Sequence, residues 1–311
     1  MSTGASRPPT RSIHEGRHSH ERRYSHERRY SDENQHEMKC GMVLPGGTAG
    51  EQLEQAILAE NAGWDGVFVW EAAYGVDAWT LLGAIASRTT RVKLGTLLTP
   101  LPWRRPWKVA SQVVTLDQIS AGRAILTVGL GAISTDLPLT GEVTDLRGRA
   151  EMLDEGLGLI RLLWAGGTSH HGSHYEYECE RSDLTQAAQP VQERIPIWVV
   201  GAWPRPRSME RVLRCDGVVP QYAGEEGGTP DDVRALRAWL SEHGANPDFD
   251  VIADGETPAD DTEAASAQVK PWAHAGCTWW LETRWALGPQ TTESMKVVRD
   301  RLTAGPPSVG P

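Results

Sequence analysis

From about Lys39 onward, short apolar runs alternate with segments in which apolar residues recur every three or four positions. The runs start near Lys39, Gly66, Arg91, Arg123, Ile195, Asp216, Phe249 and Gly276, and a helical pattern follows each of them. Nearly continuous apolar runs are what parallel strands need, because helices cover both faces of such a sheet. The intervening segments keep one apolar face at a period of 3.6: Leu53, Ala56 and Ile57; Val109, Val113 and Leu116; Leu153, Leu157, Ile160 and Trp164; Val233, Leu236 and Leu240; Met295, Val298 and Leu302. Eight such repeats predict an α/β fold of the single (β/α)8 TIM-barrel type. The clearest unit runs from Thr89 to Gly131, with one strand through Val92 and Leu94, a tip at Gly95-Thr96, and a second strand from Ala124 to Val128 ending on Gly129 and Gly131.

Residues 1–37 break the pattern. They hold the tandem hexamers Ser19 to Tyr24 and Ser25 to Tyr30, seven arginines, six acids and almost no aliphatic side chains. Such a segment cannot bury enough apolar surface to offset its ordering entropy, so a disordered low-complexity tail is expected at 1–37 and a catalytic barrel domain at 38–311. The 311-residue chain then has room for one barrel of roughly 250 residues and not for a second full domain.

The tail is close to charge balance, so the formal net charge of −10 belongs to the barrel, which argues against nucleic acid as a partner. No apolar run reaches membrane-spanning length. Cys40, Cys179, Cys215 and Cys277 show neither CxxC spacing nor a disulfide framework. The expectation is a reduced, soluble, cytoplasmic protein. His170, His171 and His174 invite a metal reading, but no nearby cysteine or suitably spaced carboxylate completes a site, and no metal is expected.

In a barrel of this type chemistry belongs to the C-terminal strand ends and the loops after them. Tryptophan concentrates there: Trp70, Trp103, Trp107, Trp203, Trp279, Trp280 and Trp285, in a chain with 13 Trp and two Phe. Indoles can cover a large flat apolar ligand while each offers one N–H.

Several segments resemble the bacterial-luciferase-like flavin-dependent oxidoreductases. They are Ala59-Glu60 with Gly63-Trp64-Asp65, Thr90-Arg91 followed by Leu94-Gly95-Thr96, Arg105-Pro106, Thr115 to Ser120, Gly122-Arg123, Gly129-Leu130-Gly131, His171-Gly172 with Tyr175, Pro196 to Gly201, and Asp216-Gly217. The order and spacing match across nearly everything from Lys39 on. The resemblance implies a luciferase-like barrel that holds reduced FMN, or the deazaflavin coenzyme F420, at its mouth without a Rossmann module. It implies either monooxygenation of a small organic substrate with dioxygen, or hydride transfer. It also implies a separate flavin reductase as a partner and a homodimer formed through outer helices. A non-catalytic flavin-binding barrel is a further alternative, and a metal-dependent barrel hydrolase a third class.

On that resemblance the cofactor-binding residues are Trp70, Gly95, Thr96, Gly129, Gly131, Gly201, Ala202, Trp203, Arg205 and Arg207. A non-proline cis peptide is expected beneath the ring at Gly95-Thr96. Gly129 and Gly131 would let the backbone approach the ring. The Gly201 to Ser208 loop would present a helix N-terminus and two arginines to a phosphate. The family's histidine after the strand-two glutamate is replaced here by Ala72, so Glu71, Tyr74 and Glu282 are the candidate catalytic residues. Glu71 would act as a buried acid or orienting acceptor, Tyr74 as a proton donor, and Glu282 as an acid facing Glu71 across the mouth.

Overall fold

The computed structural model describes Met1 and residues 38–135, 137–180, 182–222, 228–284 and 291–309. Of the tail expected at 1–37, residues 2–37 with the hexamer repeat lie outside the described residues, as does Trp285. From Met38 onward the eight apolar runs form parallel strands: β1 Lys39–Leu44, β2 Gly66–Val69, β3 Lys93–Thr96, β4 Ala124–Gly129, β5 Ile197–Ala202, β6 Gly217–Gln221, β7 Asp250–Gly255 and β8 Trp279–Glu282. Each is followed by a helix: α1 Ala49–Asn61, α2 Ala78–Arg88, α3 Pro106–Ile119, α4 Leu146–Trp164, α5 Pro206–Val212, α6 Pro230–Glu242, α7 Thr262–Ala275 and α8 Thr292–Thr303. Neighbouring strands pair in chain order, and β8 returns to β1 with Trp279 beside Lys39, which closes the barrel. The two-residue strand Thr99–Pro100 adds to the end of β4, and Ser169–His171 pairs with Glu176–Glu178 as an antiparallel hairpin after α4.

Strand alternation divides the apolar residues into two cores. Val43, Phe68, Leu97, Ile125, Trp198, Ile252, Trp279 and Leu281 fill the barrel interior. Trp198 stacks on Phe68 at 5.4 Å between ring centroids and meets Trp279 edge-on at 5.3 Å. The residues of opposite parity, among them Met42, Val67, Leu94, Leu126, Val199 and Val251, pack against the helices. Most of the tryptophan is therefore packing material: Trp279 lies inside the barrel, Trp280 lies behind it against Trp272, and Trp203 packs on Trp239.

Polar termini are satisfied locally. Thr48 and Glu51 form a capping box at α1, Thr229 and Asp232 another at α6, and Asp77, Asp145 and Asp261 cap α2, α4 and α7. In α1 the buried face is Gln52, Gln55, Ala56 and Ala59, rotated from the expected Leu53, Ala56 and Ile57. The rotation has a polar cause, since the two glutamine amides donate to the carbonyls of Gly47 and Gly46.

Many of the residues that carry the family resemblance sit at the opposite end of the barrel from the mouth, where they hold the scaffold. Glu60 accepts the backbone N–H groups of Thr90, Arg91 and Val92. Arg123, 8% exposed, donates to the carbonyls of Ala86, Thr89, Val92 and Ser120. Asp117 accepts from Val191 and Gln192.

Gly95 belongs to this scaffold as well. A Cβ there would run into the Ile125 carbonyl oxygen of the neighbouring strand, which is backbone and cannot move aside. Gly95→Ala is expected to destabilise the barrel by about 1–3 kcal/mol. That corresponds to a melting-temperature loss on the order of 2–4 °C per kcal/mol, readable by circular dichroism. An unchanged melting temperature would show that the strand pair is not in this register.

Candidate active site at the barrel mouth

The interior layer continues upward past the packed core and opens. One step of two residues along each strand leads from Phe68 to Trp70, from Trp198 to Val200 and Ala202, and from Ile252 to Asp254. Together with Leu97, Leu98, Pro100, Trp103, Leu130, Gly131, Val219 and Gln221 these residues wall a cavity of about 580 Å³ at the C-terminal strand ends. That volume lies in the range of small-molecule and cofactor sites. The walls are largely apolar and partly aromatic, and the polar lining residues are Glu71, Thr135, Ser208, Arg211, Gln221 and Asp254.

Sequence reasoning missed Ser208 and Arg211. Helix α5 starts at Pro206, so Ser208 and Arg211, three positions apart, share the face turned to the cavity. The Ser208 hydroxyl accepts the Ala202 N–H at 2.9 Å, which fixes the turn between β5 and α5. Arg211 is 5% exposed. Its Nε and Nη2 donate to Asp154 at 2.9 and 2.8 Å, and Nη2 also reaches the Ala150 carbonyl. Among the described residues no acceptor engages Nη1. Arg205 and Arg207, expected to meet a phosphate, are exposed and do not line the cavity. The signal in the sequence for the pair that lines the cavity is the helical register after Pro206.

Of the other expected cofactor contacts, Trp70, Gly131 and Ala202 line the cavity, and Gly95, Thr96, Gly129, Gly201 and Trp203 do not. Gly131, at φ +79°, leaves room for the Trp103 indole, which a Cβ would overlap, and Gly129 does the same for Leu98. The protein's own side chains, not an open slot, occupy the space these glycines leave, and Trp103 and Leu98 then form the wall. Gly201 faces Val212 and Val218 on the helix side. The non-proline cis peptide lies at Leu97–Leu98, not at Gly95–Thr96, and a second cis bond joins Trp203 to Pro204.

Glu71 borders the cavity with its side chain 5% exposed. It accepts from Trp79 Nε1 at 2.7 Å, from Thr99 Oγ1 at 2.5 Å and from Arg104 Nη1 at 2.6 Å. Thr99 passes the chain on to Thr96. Burial pushes the Glu71 carboxyl above the usual glutamate range, with Arg104 and the two other donors opposing it. It is therefore a held, orienting acid at the edge of the site.

The expected face-to-face pair of Glu71 and Glu282 does not form. Glu282 shares the parity of Trp280, points out of the barrel, and is fully buried against Thr257, Arg284 and Arg301 of α8. Tyr74 is 94% exposed and does not line the cavity. The hairpin histidines are engaged by α4. His170 meets Glu155 at 3.2 Å and His174 meets Glu151 at 3.6 Å. Glu155 also collects the N–H groups of Ser173, His174 and Tyr175. The hairpin packs against Trp107 on α3, and none of its residues lines the mouth cavity.

The family model for luciferase-like monooxygenases matches residues 32–295. Among curated relatives, a coenzyme F420-dependent oxidoreductase of Mycobacterium tuberculosis is 30% identical over 237 residues, 70% of this chain and 65% of that protein. The oxygenase component of a flavin-dependent trigonelline monooxygenase of Acinetobacter baylyi is 26% identical over 185 residues, 57% of this chain and 50% of that protein. The chain thus spans between half and two thirds of the length of these relatives. Among solved structures, an F420-dependent secondary alcohol dehydrogenase in complex with an F420-acetone adduct superposes with a TM-score of 0.69 at 17% identity, covering 86% of this chain and 99% of that one, a likeness of fold.

Two outcomes follow from the carboxylates. Glu282→Gln leaves Arg301 buried without its counter-charge, so a stability loss of about 3 kcal/mol is expected in chemical denaturation. Ligand binding at the mouth should be unaffected. Burial works against ionisation of Glu155, yet the Tyr175 N–H, His170 and the neighbouring amides hold its carboxyl below the usual range. A lowered folded-state pKa stabilises above the ordinary glutamate pKa and is lost as pH falls through the lowered value. Hydrogen-exchange protection of Ser173, His174 and Tyr175 should therefore persist near pH 5 and vanish in stronger acid, and Glu155→Gln should abolish that dependence.

Proposed function

The chain belongs to the luciferase-like monooxygenase family, and from that premise we propose that it is a flavin-dependent oxidoreductase, foremost a monooxygenase that uses reduced FMN and dioxygen on a small organic substrate. The observation that carries the reading is the mouth cavity: a largely apolar space lined by Trp70 and Trp103, with Ser208 and the Asp154-held Arg211 among its polar lining residues. A flat tricycle with a phosphate-bearing tail suits that pairing of apolar wall and cationic group. When bound, the reduced ring would supply the electrons that dioxygen or the substrate takes up.

The remaining work falls to the chain. Trp70, Leu97, Leu98, Leu130 and Val200 exclude water from the reacting face. Arg211, fixed by Asp154, presents one N–H edge to a phosphate without having to reorganise. Glu71 keeps the loop after β2 in place by accepting from Trp79, Thr99 and Arg104 at the edge of the site. Tyr74 and Glu282 have no role at the reacting atoms in this reading.

A second reading, hydride transfer with coenzyme F420, has its own support in the Mycobacterium tuberculosis relative, the more similar of the two curated proteins described. Both readings share the site. A partner reductase fits the first, as the oxygenase-component relative suggests, and cytoplasmic residence fits either; no helix among the described residues is long and apolar enough to cross a membrane.

The test is a titration of the purified chain with FMN and with F420, followed by absorbance and fluorescence, in both redox states. Binding of one or both at micromolar concentration is expected. Loss of the Arg211 contact in Arg211→Ala should weaken it by about 10- to 100-fold, the worth of a charge-assisted hydrogen bond. Oxygen uptake with reduced FMN then separates oxygenation from hydride transfer. If neither cofactor bound, the reading would fail.

A further inference from the structure

A second cavity lies outside the barrel, between the first turn of α3 and α4 under the hairpin. It measures about 500 Å³ and is lined by Pro102, Trp103, Arg104, Arg105, Lys108, Gln112, Glu142, Met152 and Tyr175. Three cations face one carboxylate. Arg104 is spent on Glu71 and Gln112. Arg105 leans over the Trp107 ring at 5.9 Å, and among the described residues neither Arg105 nor Lys108 has an ion pair. Helix α3 begins here as well. Arg105 is its N-cap and makes no side-chain cap hydrogen bond, and Pro106 occupies the first turn, so the positive end of a 14-residue helix adds to the two free cations.

The independent observation is Tyr175. Its side chain lines the cavity and is 3% exposed, and its hydroxyl is buried with no hydrogen-bond partner. A buried hydroxyl left unpaired costs stability, and Tyr175 shares the wall of this cavity with Arg105 and Lys108, the Arg105 charge acting on its phenol. Burial, reinforced by Glu155, pushes the phenol up to about 12, so it stays protonated and can only offer its O–H to an acceptor at neutral pH.

We propose that this cavity is an anion site that binds a phosphoryl-bearing small molecule, with the Tyr175 hydroxyl, Arg105 and Lys108 as its donors. A doubly charged oxyanion answers two cations and a neutral donor, and it outweighs the single carboxylate of Glu142. The volume exceeds what a bare phosphate fills, and Trp103, Pro102 and Met152 supply an apolar wall for the rest of the ligand. The proposal does not rest on the cofactor reading, because none of Arg105, Lys108 and Tyr175 lines the mouth cavity.

Inorganic phosphate and phenyl phosphate are the probes, titrated calorimetrically into the full chain against chloride at equal ionic strength, with acetate as a carboxylate arm. Saturable binding of phosphate is expected, tighter for phenyl phosphate if the natural ligand carries an organic body and equal for the two if free phosphate is the ligand. Acetate should bind more weakly than either. Arg105→Ala and Lys108→Ala should each weaken binding about five-fold or more, and Tyr175→Phe about ten-fold. Tyr175→Phe should melt no lower than the parent, since it removes a hydroxyl that has no partner in the free protein. Arg211→Ala removes the phosphate contact proposed at the mouth, and the binding event that Arg105→Ala, Lys108→Ala and Tyr175→Phe weaken should survive in it. The proposal is overturned if binding is not saturable, if the Arg105, Lys108 and Tyr175 variants bind like the parent, if acetate binds as well as phosphate, or if Arg211→Ala removes the same binding event.

Discussion

Everything in this barrel depends on the two-residue alternation of side chains along strands that are dry on both faces. Once the sheet closes, a residue has two destinations, the barrel interior or the layer beneath the helices, and a step of one residue exchanges them. Phe68, Trp198 and Trp279 fix the interior phase. Every other assignment is then forced: Trp70, Val200, Ala202 and Asp254 rise into the mouth, while Glu282, one step out of phase with Leu281, is turned to Arg301 and the helices. Glu71 lies beyond the end of β2, free of strand phase, and borders the mouth, whereas Glu282 is the last residue of β8 and is held on the helix side.

The same constraint explains where the buried charge goes. A dry two-layer fold tolerates ionic groups only where partners are built in. Arg123 is surrounded by backbone carbonyls at the floor, Arg301 meets Glu282 behind β8, and Arg211 is held by Asp154 between α4 and α5. Arg123 is saturated by its neighbours and serves the scaffold. Arg211 instead lines the mouth cavity, and among the described residues no acceptor engages its Nη1.

The architecture was legible because it depends on patterns of many residues. The strand starts read near Lys39, Gly66, Asp216 and Phe249 fall within a residue of β1, β2, β6 and β7, and the apolar faces of α3, α4, α6 and α8 were found by periodicity. The site was only half legible, because it depends on single residues whose direction is set by phase. Trp70, Glu71, Gly131 and Ala202, read from strand tips, line the mouth cavity. Ser208 and Arg211 line it as well, while Arg205 and Arg207, nearer to the strand in sequence, are exposed and do not. Gly129 reads as room for a ligand and leaves room for the Leu98 side chain, and Gly95, read as one side of a cis peptide, leaves room for the Ile125 carbonyl, distinctions that composition cannot carry.

Trp103 joins the two cavities physically. Its indole lines both of them, donates to the Val143 carbonyl at 2.8 Å and lies under the Arg149 guanidinium at 5.7 Å. Arg149 in turn donates to the carbonyls of Leu130 and Gly131 on the mouth wall. Arg104, next in the chain, reaches Glu71 on the mouth side and Gln112 on the outer side. A ligand drawn to Arg105 and Lys108 would therefore press on the same short segment, Pro102 to Lys108, that shapes the mouth through Trp103 and steadies Glu71 through Arg104. Coupling between the two cavities requires no long-range path, only that this segment have two arrangements with different affinities for the outer ligand. The packing of Trp103 against Gly131 limits how far they could differ, since a backbone without a Cβ is what lets the ring sit where it does.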